Sequence, residues 1–306
     1  MAIFPPALTF RMNNTPRLPS EASLGQESPL TQPLTKCRFW FPPIALLETL
    51  VVHRHLLRQM MVRDLTARFA GTSLGAFWGL LQPLILLGLY TFVFSFVYRV
   101  RLQGHGTVGF IPFVFCGLWP WMAFQEACLR SVGVIIENAQ LVKRVKFPSE
   151  LLVVATTLSS FLSQGVGFGL FLLGLAVWQG GLSPGVLPLL IIPLGLQLLL
   201  AVAVGLLLST GNVFLRDVSQ LASAGFTVWF FFTPVLYPLE MVPDTVQSLL
   251  AWNPMTAVVA LYRALILTPD EVSWQWALYP LVLSLLLLGV AQGVFQRSKG
   301  YFADYL

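Results

Sequence analysis

Hydrophobic positions along this 306-residue chain come in long unbroken runs, without the strict alternation of an exposed strand or the one-sided stripe of a soluble helix. Residues 73–98 contain no charged side chain, 26 positions in succession. A helix needs only about 20 apolar residues to cross a hydrocarbon core. Further runs predict spans at about residues 110–135, 151–178, 185–209, 218–239 and 277–296. Between 239 and 274 the pattern changes, because Pro243, Pro254 and Pro269 leave two apolar pieces, about 246–252 and 255–267, each too short to cross. Such pieces suit re-entrant segments, whose free backbone groups must be covered by protein or face a water-filled cavity.

Two segments lie ahead of the first span. Residues 1–36 hold six prolines and no apolar period, and read as a disordered cytoplasmic tail. Residues 44–69 predict a helix with Leu57, Met61, Leu65 and Phe69 at four-residue spacing and Arg54, Arg58 and Arg63 beside them. Its apolar face is blemished by Asp64 and Arg68, yet long arginines can snorkel, so a helix lying in the inner membrane interface is expected. Gly71, Gly75 and Gly79 put a side-chain-free stripe at the start of the first span, open to close helix packing within the chain or between two copies. The expected fold is thus an all-α integral membrane domain over residues 37–306, with six transmembrane helices, an N-terminal interfacial amphipathic helix and re-entrant helices before the last span.

Composition narrows the class. Only 10% of residues are charged and 56% are hydrophobic, against about 25% charged in an ordinary soluble protein. No soluble α/β core could bury so many runs. Net charge is +5, but its distribution says more: 15 Lys and Arg fall on segments assigned to the inside and three, Arg99, Arg101 and Arg263, on the outside. That division predicts both termini in the cytoplasm. Three cysteines, Cys37, Cys116 and Cys128, suggest neither a disulfide framework nor a metal site.

Candidate chemistry is sparse. The three histidines, His53, His55 and His105, lie outside the predicted spans, which argues against metal-assisted or Ser-His hydrolysis at membrane depth. The glycines at 165, 167, 169 and 174 lack the GxxxxGK[ST] of a phosphate loop. No repeat or mid-span acid marks an ion-coupled transporter, Glu126 being the one ambiguous position. Glu126 and Arg130 are spaced to pair along one helix face, and the favoured reading ends the span before them so that the helix projects into the cytoplasm. Aromatics stand out instead: Trp119 and Trp121 flank Pro120 within the second span, and Phe226, Trp229, Phe230, Thr233 and Tyr237 share a face of the fifth. Flat rings with polar tips suit the C–H faces of sugars, although ordinary helix packing accounts for them equally well.

Several ordered blocks resemble a known family: RDLTARFAGTSLGAFWGLLQPLILLGLYTFVFSFVY, GLWPWMAFQEACLRSVGVIIENAQLVKRVKFPSELL, GNVFLRDV, FFTPVLYPLEMVP and WNPMTAVVALYRALIL. Together they look like the type-2 ABC export permeases for O-antigen, capsular polysaccharide and teichoic acid, from about residue 44 onward. The resemblance implies two copies of this chain with two copies of a separate ATPase subunit, which would hold the ATP and Mg. It implies a lipid-linked polysaccharide as substrate and a channel lined in part by Trp119, Trp121, Phe226, Trp229, Phe230 and Tyr237. It also implies a cytoplasmic coupling segment including Glu137, Lys143, Arg144, Lys146 and Phe147, an interfacial helix carrying Arg54, Arg58, Arg63 and Arg68, and an outer gate around Asn253, Pro254 and Arg263. The expected function is O-antigen-type export, with capsular polysaccharide or teichoic acid export, or a related permease for lipids or drugs, as alternatives.

Overall fold

The computed structural model describes residues 42–69, 77–93, 109–144, 147–179, 185–269 and 272–306. Every regular element among them is helical. The chain enters through α1 (Pro42–Val52) and α2 (Arg54–Phe69), continues in α3 (Trp78–Thr91), and runs through the long α4 (Phe110–Glu137) into the short α5 (Ala139–Arg144). There follow α6 (Glu150–Gln179), α7 (Val186–Leu189), α8 (Ile191–Phe214) and α9 (Val218–Phe231). A tight 3-10 turn, Leu239–Met241, then leads to α10 (Asp244–Ala251), α11 (Pro254–Leu267), α12 (Gln275–Ser298), a second 3-10 turn, Lys299–Tyr301, and α13 (Phe302–Tyr305).

Among the described residues, three helices are long and apolar enough to cross a membrane: α6, the near-continuous pair α7 and α8, and α12. The pair α10 and α11, bent by 95°, would make a fourth if counted as one span. The bend falls at Trp252 and Asn253, where Pro254 starts the new helix and Asn253 caps it by accepting from the Met255 amide at 3.0 Å. A proline at the first helical position needs no N–H partner, so the break is built into the local sequence. The chain is therefore a multi-pass membrane protein. The α4 helix, 28 residues long, has the length of a span but carries Gln125, Glu126 and Arg130 at its middle. The first predicted span, 73–98, and its glycine stripe lie partly outside the described residues, and the tail 1–36 and Lys146 lie wholly outside them.

Two elements differ from expectation. The single N-terminal helix is two, parted at His53, with α1 packed on α12 and α2 on α6. The fifth run also stops being helical at Phe231, well short of 239. Pro234 and Pro238 have no N–H with which to continue a helix, so residues 232–238 turn away from it.

Two hydrophobic clusters hold the helices together. One gathers the first half of α4, the second half of α6, the start of α8, α9 and α11 around Trp121 and Phe124. The other joins the last turns of α4, α8 and α12 to the start of α6 and to Leu46, Met60 and Phe302. Close approach of α4 to α8 requires Gly205: a Cβ there would lie 3.1 Å from Ser131 and 3.2 Å from Val153.

Candidate functional site

The predicted aromatics converge in space but differ in exposure. Trp121 is 1% exposed and sits among Phe226, Trp229 and Phe230, ring centroids 6.3, 6.0 and 5.7 Å away. Its indole N–H donates to Gln125 at 3.0 Å. Trp119 points the other way, stacked on Phe168 at 3.8 Å and donating to the Gln164 carbonyl of α6 at 2.8 Å. Trp119, Trp121 and Phe226 thus lie inside the chain's own core. Trp229, Phe230 and Tyr237 are half-buried at its edge. Tyr237 is no longer on the α9 face; its hydroxyl reaches back to the Phe231 carbonyl at 2.9 Å.

The end of α9 is fastened by two side chains from the bent pair of α10 and α11. Asn253 accepts from the Trp229 indole at 2.9 Å and donates to the Phe232 carbonyl at 3.0 Å and the Thr233 hydroxyl at 2.8 Å. With the Met255 amide, all four of its hydrogen-bonding positions are used. Arg263 turns inward from α11, with its Nη1 on the Pro234 carbonyl at 2.7 Å, its Nη2 on Val235 at 2.6 Å and its Nε on Phe113 at 3.2 Å. Its guanidinium also lies 3.7 Å over the Phe113 ring. Backbone carbonyls freed by a broken helix must find donors at membrane depth, and a guanidinium fork supplies several at once. Gly117 makes room for this, since a Cβ there would stand 2.7 Å from Arg263 Nη2 and 3.1 Å from the Val235 oxygen. Arg263 was expected among the outer charges and, by resemblance, in an outer gate with Asn253 and Pro254; what sequence reasoning missed was its three carbonyl partners and the glycine opposite.

A second polar site joins α2, α4 and α6. Glu126 does not pair with Arg130. Its carboxylate instead accepts from Arg68 of α2 and Gln164 of α6. Arg130 binds Asp64 of α2 at 2.7 Å and the Ser160 hydroxyl at 3.2 Å, and Ser159 donates to the other Asp64 oxygen. Asp64 and Arg68 are one turn apart on α2, as Glu126 and Arg130 are on α4, so opposite charges meet in register. The blemish on the α2 apolar face is thereby explained; together with the flagged Glu126 and Arg130 it was the sequence signal for this site, although the pairing differs from the one that spacing suggested. Arg63 adds a bond to Asn138 at 2.9 Å, at the junction of α4 and α5. Arg63, Asp64, Arg130, Glu137 and Asn138 border a cavity of about 90 Å³ beside these contacts. Arg54 and Arg58 stay exposed.

On the predicted coupling segment, Glu137 and Lys143 are exposed, Arg144 ends α5, and Phe147 is half-buried against the second cluster. Glu150, absent from the sequence expectations, is buried at the start of α6 and bound by Gln296 and Lys299.

These features describe a helical membrane protein with one helical run broken at prolines and a short helix between long ones. The chain belongs to the ABC-2 type transporter family, whose pattern matches residues 55–267. It is 32% identical over 273 residues to the O-antigen export system permease protein RfbA of Myxococcus xanthus, covering 85% of this chain and 99% of that protein. It is 27% identical over 251 residues to RfbA of Klebsiella pneumoniae, covering 80% and 92%. The polysialic acid transport protein KpsM of Escherichia coli is 26% identical over 219 residues, 69% of this chain and 81% of KpsM.

Proposed function

We propose that this chain is the membrane subunit of an ATP-driven exporter that moves a lipid-linked polysaccharide of O-antigen type across the cytoplasmic membrane. The observation that carries the reading is end-to-end likeness to an O-antigen permease, 99% of whose length is matched. The KpsM match covers less of both chains at lower identity, which favours O-antigen over capsule.

In this reading the permease domain, 37–306, has six spans at about 73–98, 110–135, 151–178, 185–209, 218–239 and 277–296, with both termini in the cytoplasm. The uneven division of Lys and Arg supports that orientation. Two copies assemble with two copies of a separate ATPase subunit, which carries ATP and Mg. The α2 helix, through Arg54, Arg58, Arg63 and Arg68, lies along the inner membrane face near the lipid-linked end of the substrate. Glu137, Lys143, Arg144, Lys146 and Phe147 form the segment that seats in the ATPase.

At the outer side, Asn253, Pro254 and Arg263 hold the gate in shape. Trp229, Phe230 and Tyr237 face the glycan, and their partial exposure supports that role. Trp119, Trp121 and Phe226 stand behind them as packing. Ring faces let a sugar chain slide, because they offer contact area with few directional hydrogen bonds to break at each step.

Deleting the chain from its host and analysing lipid-linked glycans tests the reading. Accumulation of a lipid-linked O-antigen-type polymer inside the cell is the expected outcome. Accumulation of a capsular polymer would move the assignment to capsule export, and no accumulation of any glycan would refute it.

A further inference from the structure

A helix of six residues does not hold its own direction. At Ala139–Arg144, α5 is far below the ~12–15 residues at which an isolated helix becomes even marginal in water. What it rests on therefore sets its angle. At one end it continues from α4 through Asn138, whose carbonyl accepts from the amides of Leu141 and Val142 at 2.9 and 3.1 Å. Along its side it rests on a segment more than 150 residues further along the chain.

After α12, residues 299–306 turn back, and α13 packs on α5. Phe302 is fully buried, edge-on to Phe295 at 5.4 Å and 6.3 Å from Phe214. Tyr305 meets Phe214 at 5.0 Å. Leu141, Val142, Phe147 and Leu306 pack against the second hydrophobic cluster, to which Phe302 belongs, so the apolar side of α5 and the fold-back meet in one core.

The start of α6, three residues beyond the coupling segment, is held by charge. One oxygen of Glu150 accepts from Gln296 Nε2 at 3.0 Å and the other from Lys299 Nζ at 3.0 Å. The Glu150 side chain is only 5% exposed, whereas Lys299 is 32% exposed. Removing the lysine would leave a buried carboxylate without its counter-charge, an arrangement the interior penalises strongly. The fold-back therefore meets both ends of residues 139–150, α5 by packing and Glu150 by an ion pair.

We propose that residues 299–306, latched to Glu150 through Lys299, are a positioning element that sets the angle at which α5 is presented to the ATPase subunit. The proposal rests on the reading of α5 as the coupling helix. Lys143 points outward and is left for the partner, while the fold-back acts through α5.

Two measurements on the full chain test it. The first is hydrogen exchange of residues 139–144 in lipid nanodiscs for wild type, Lys299→Met, Lys299→Arg and Phe302→Ala. Exchange should rise about tenfold in Lys299→Met and Phe302→Ala, with the middle of α6 unchanged, and stay within about twofold of wild type in Lys299→Arg. The second, with the ATPase subunit bound, is ATP hydrolysed per glycan exported, which should rise roughly threefold in Lys299→Met and return in Lys299→Arg. Unchanged exchange, equal acceleration in α6, or faster exchange with an unchanged hydrolysis ratio would overturn the proposal. A wild-type chain that retains no ATPase would count against the exporter reading instead, and the exchange measurement would still decide whether the fold-back holds α5.

Discussion

The indole N–H of Trp229 donates to the side-chain oxygen of Asn253 at 2.9 Å, joining the last turn of α9 to the corner between α10 and α11. Because Asn253 also holds Phe232, Thr233 and Met255, the end of α9 and the bent pair of α10 and α11 are joined as one body. Each hydrogen bond is worth about 1 kcal/mol net, and more where a buried partner is left unsatisfied. Asn253→Ala should therefore lower stability by about 2 to 4 kcal/mol, read as a fall in thermal midpoint in detergent. Asn253→Asp keeps the two accepting contacts but sets an oxygen against the Phe232 carbonyl, and should fall between alanine and wild type.

Gly117 gives a sharper test of the Arg263 fastening. Its added methyl would stand 2.7 Å from the guanidinium, so Gly117→Ala must displace the arginine or the Val235 backbone. Overpacking of this kind costs about 1 to 3 kcal/mol. Gly165, with nothing within 4 Å of an added Cβ, is the control. Gly165→Ala should be neutral or slightly stabilising, since alanine is the better helix former. Thermal midpoints of the two variants, measured side by side, check this.

The ion pair between Asp64 and Arg130 should show its worth in a double-mutant cycle of Asp64→Asn and Arg130→Gln. Both side chains keep some solvent, 23% and 30% exposed. Screening therefore limits the coupling to about 1 kcal/mol, towards the upper end of measured exposed pairs. Urea or thermal unfolding of the four proteins supplies the number, and coupling near zero would show that this pair does not help to hold α2.

Burial separates the aromatics into two groups with different expected phenotypes. Trp121→Ala removes a fully enclosed ring and should cost about 3 to 5 kcal/mol, seen as low yield. Phe230→Ala and Tyr237→Ala, at the edge of the cluster, should leave yield near wild type and reduce glycan export per assembled complex. Yield and export measured on the same preparations distinguish the two groups.

The long helices were legible because lipid imposes an unbroken apolar run, and α6, α8 and α12 fall where such runs stand. The end of α9 was not, because apolar letters continue through residues 232–237 after the helix has stopped. Hydropathy reports what a segment is dissolved in and not its backbone path. Spacing on one helix suggested that Glu126 and Arg130 pair with each other; the neighbouring helix α2 offers Asp64 and Arg68 in the same register and takes both. The family resemblance marked Arg263 for the outer gate, but nothing in the sequence marked its contacts, since its partners are backbone carbonyls that any residue can supply. The aromatic faces were legible as a cluster, but which rings are enclosed depends on how α4 and α9 are turned toward each other.

The most direct test of the account is transport itself. The chain and its ATPase subunit are reconstituted into vesicles with a lipid-linked O-antigen-type polysaccharide, and the glycan that becomes accessible on the opposite face is measured with and without ATP. The account predicts ATP-dependent movement of the polymer that is reduced in Phe230→Ala complexes of normal yield. Movement that proceeds without ATP, or ATP hydrolysis with no glycan crossing the bilayer, would contradict it.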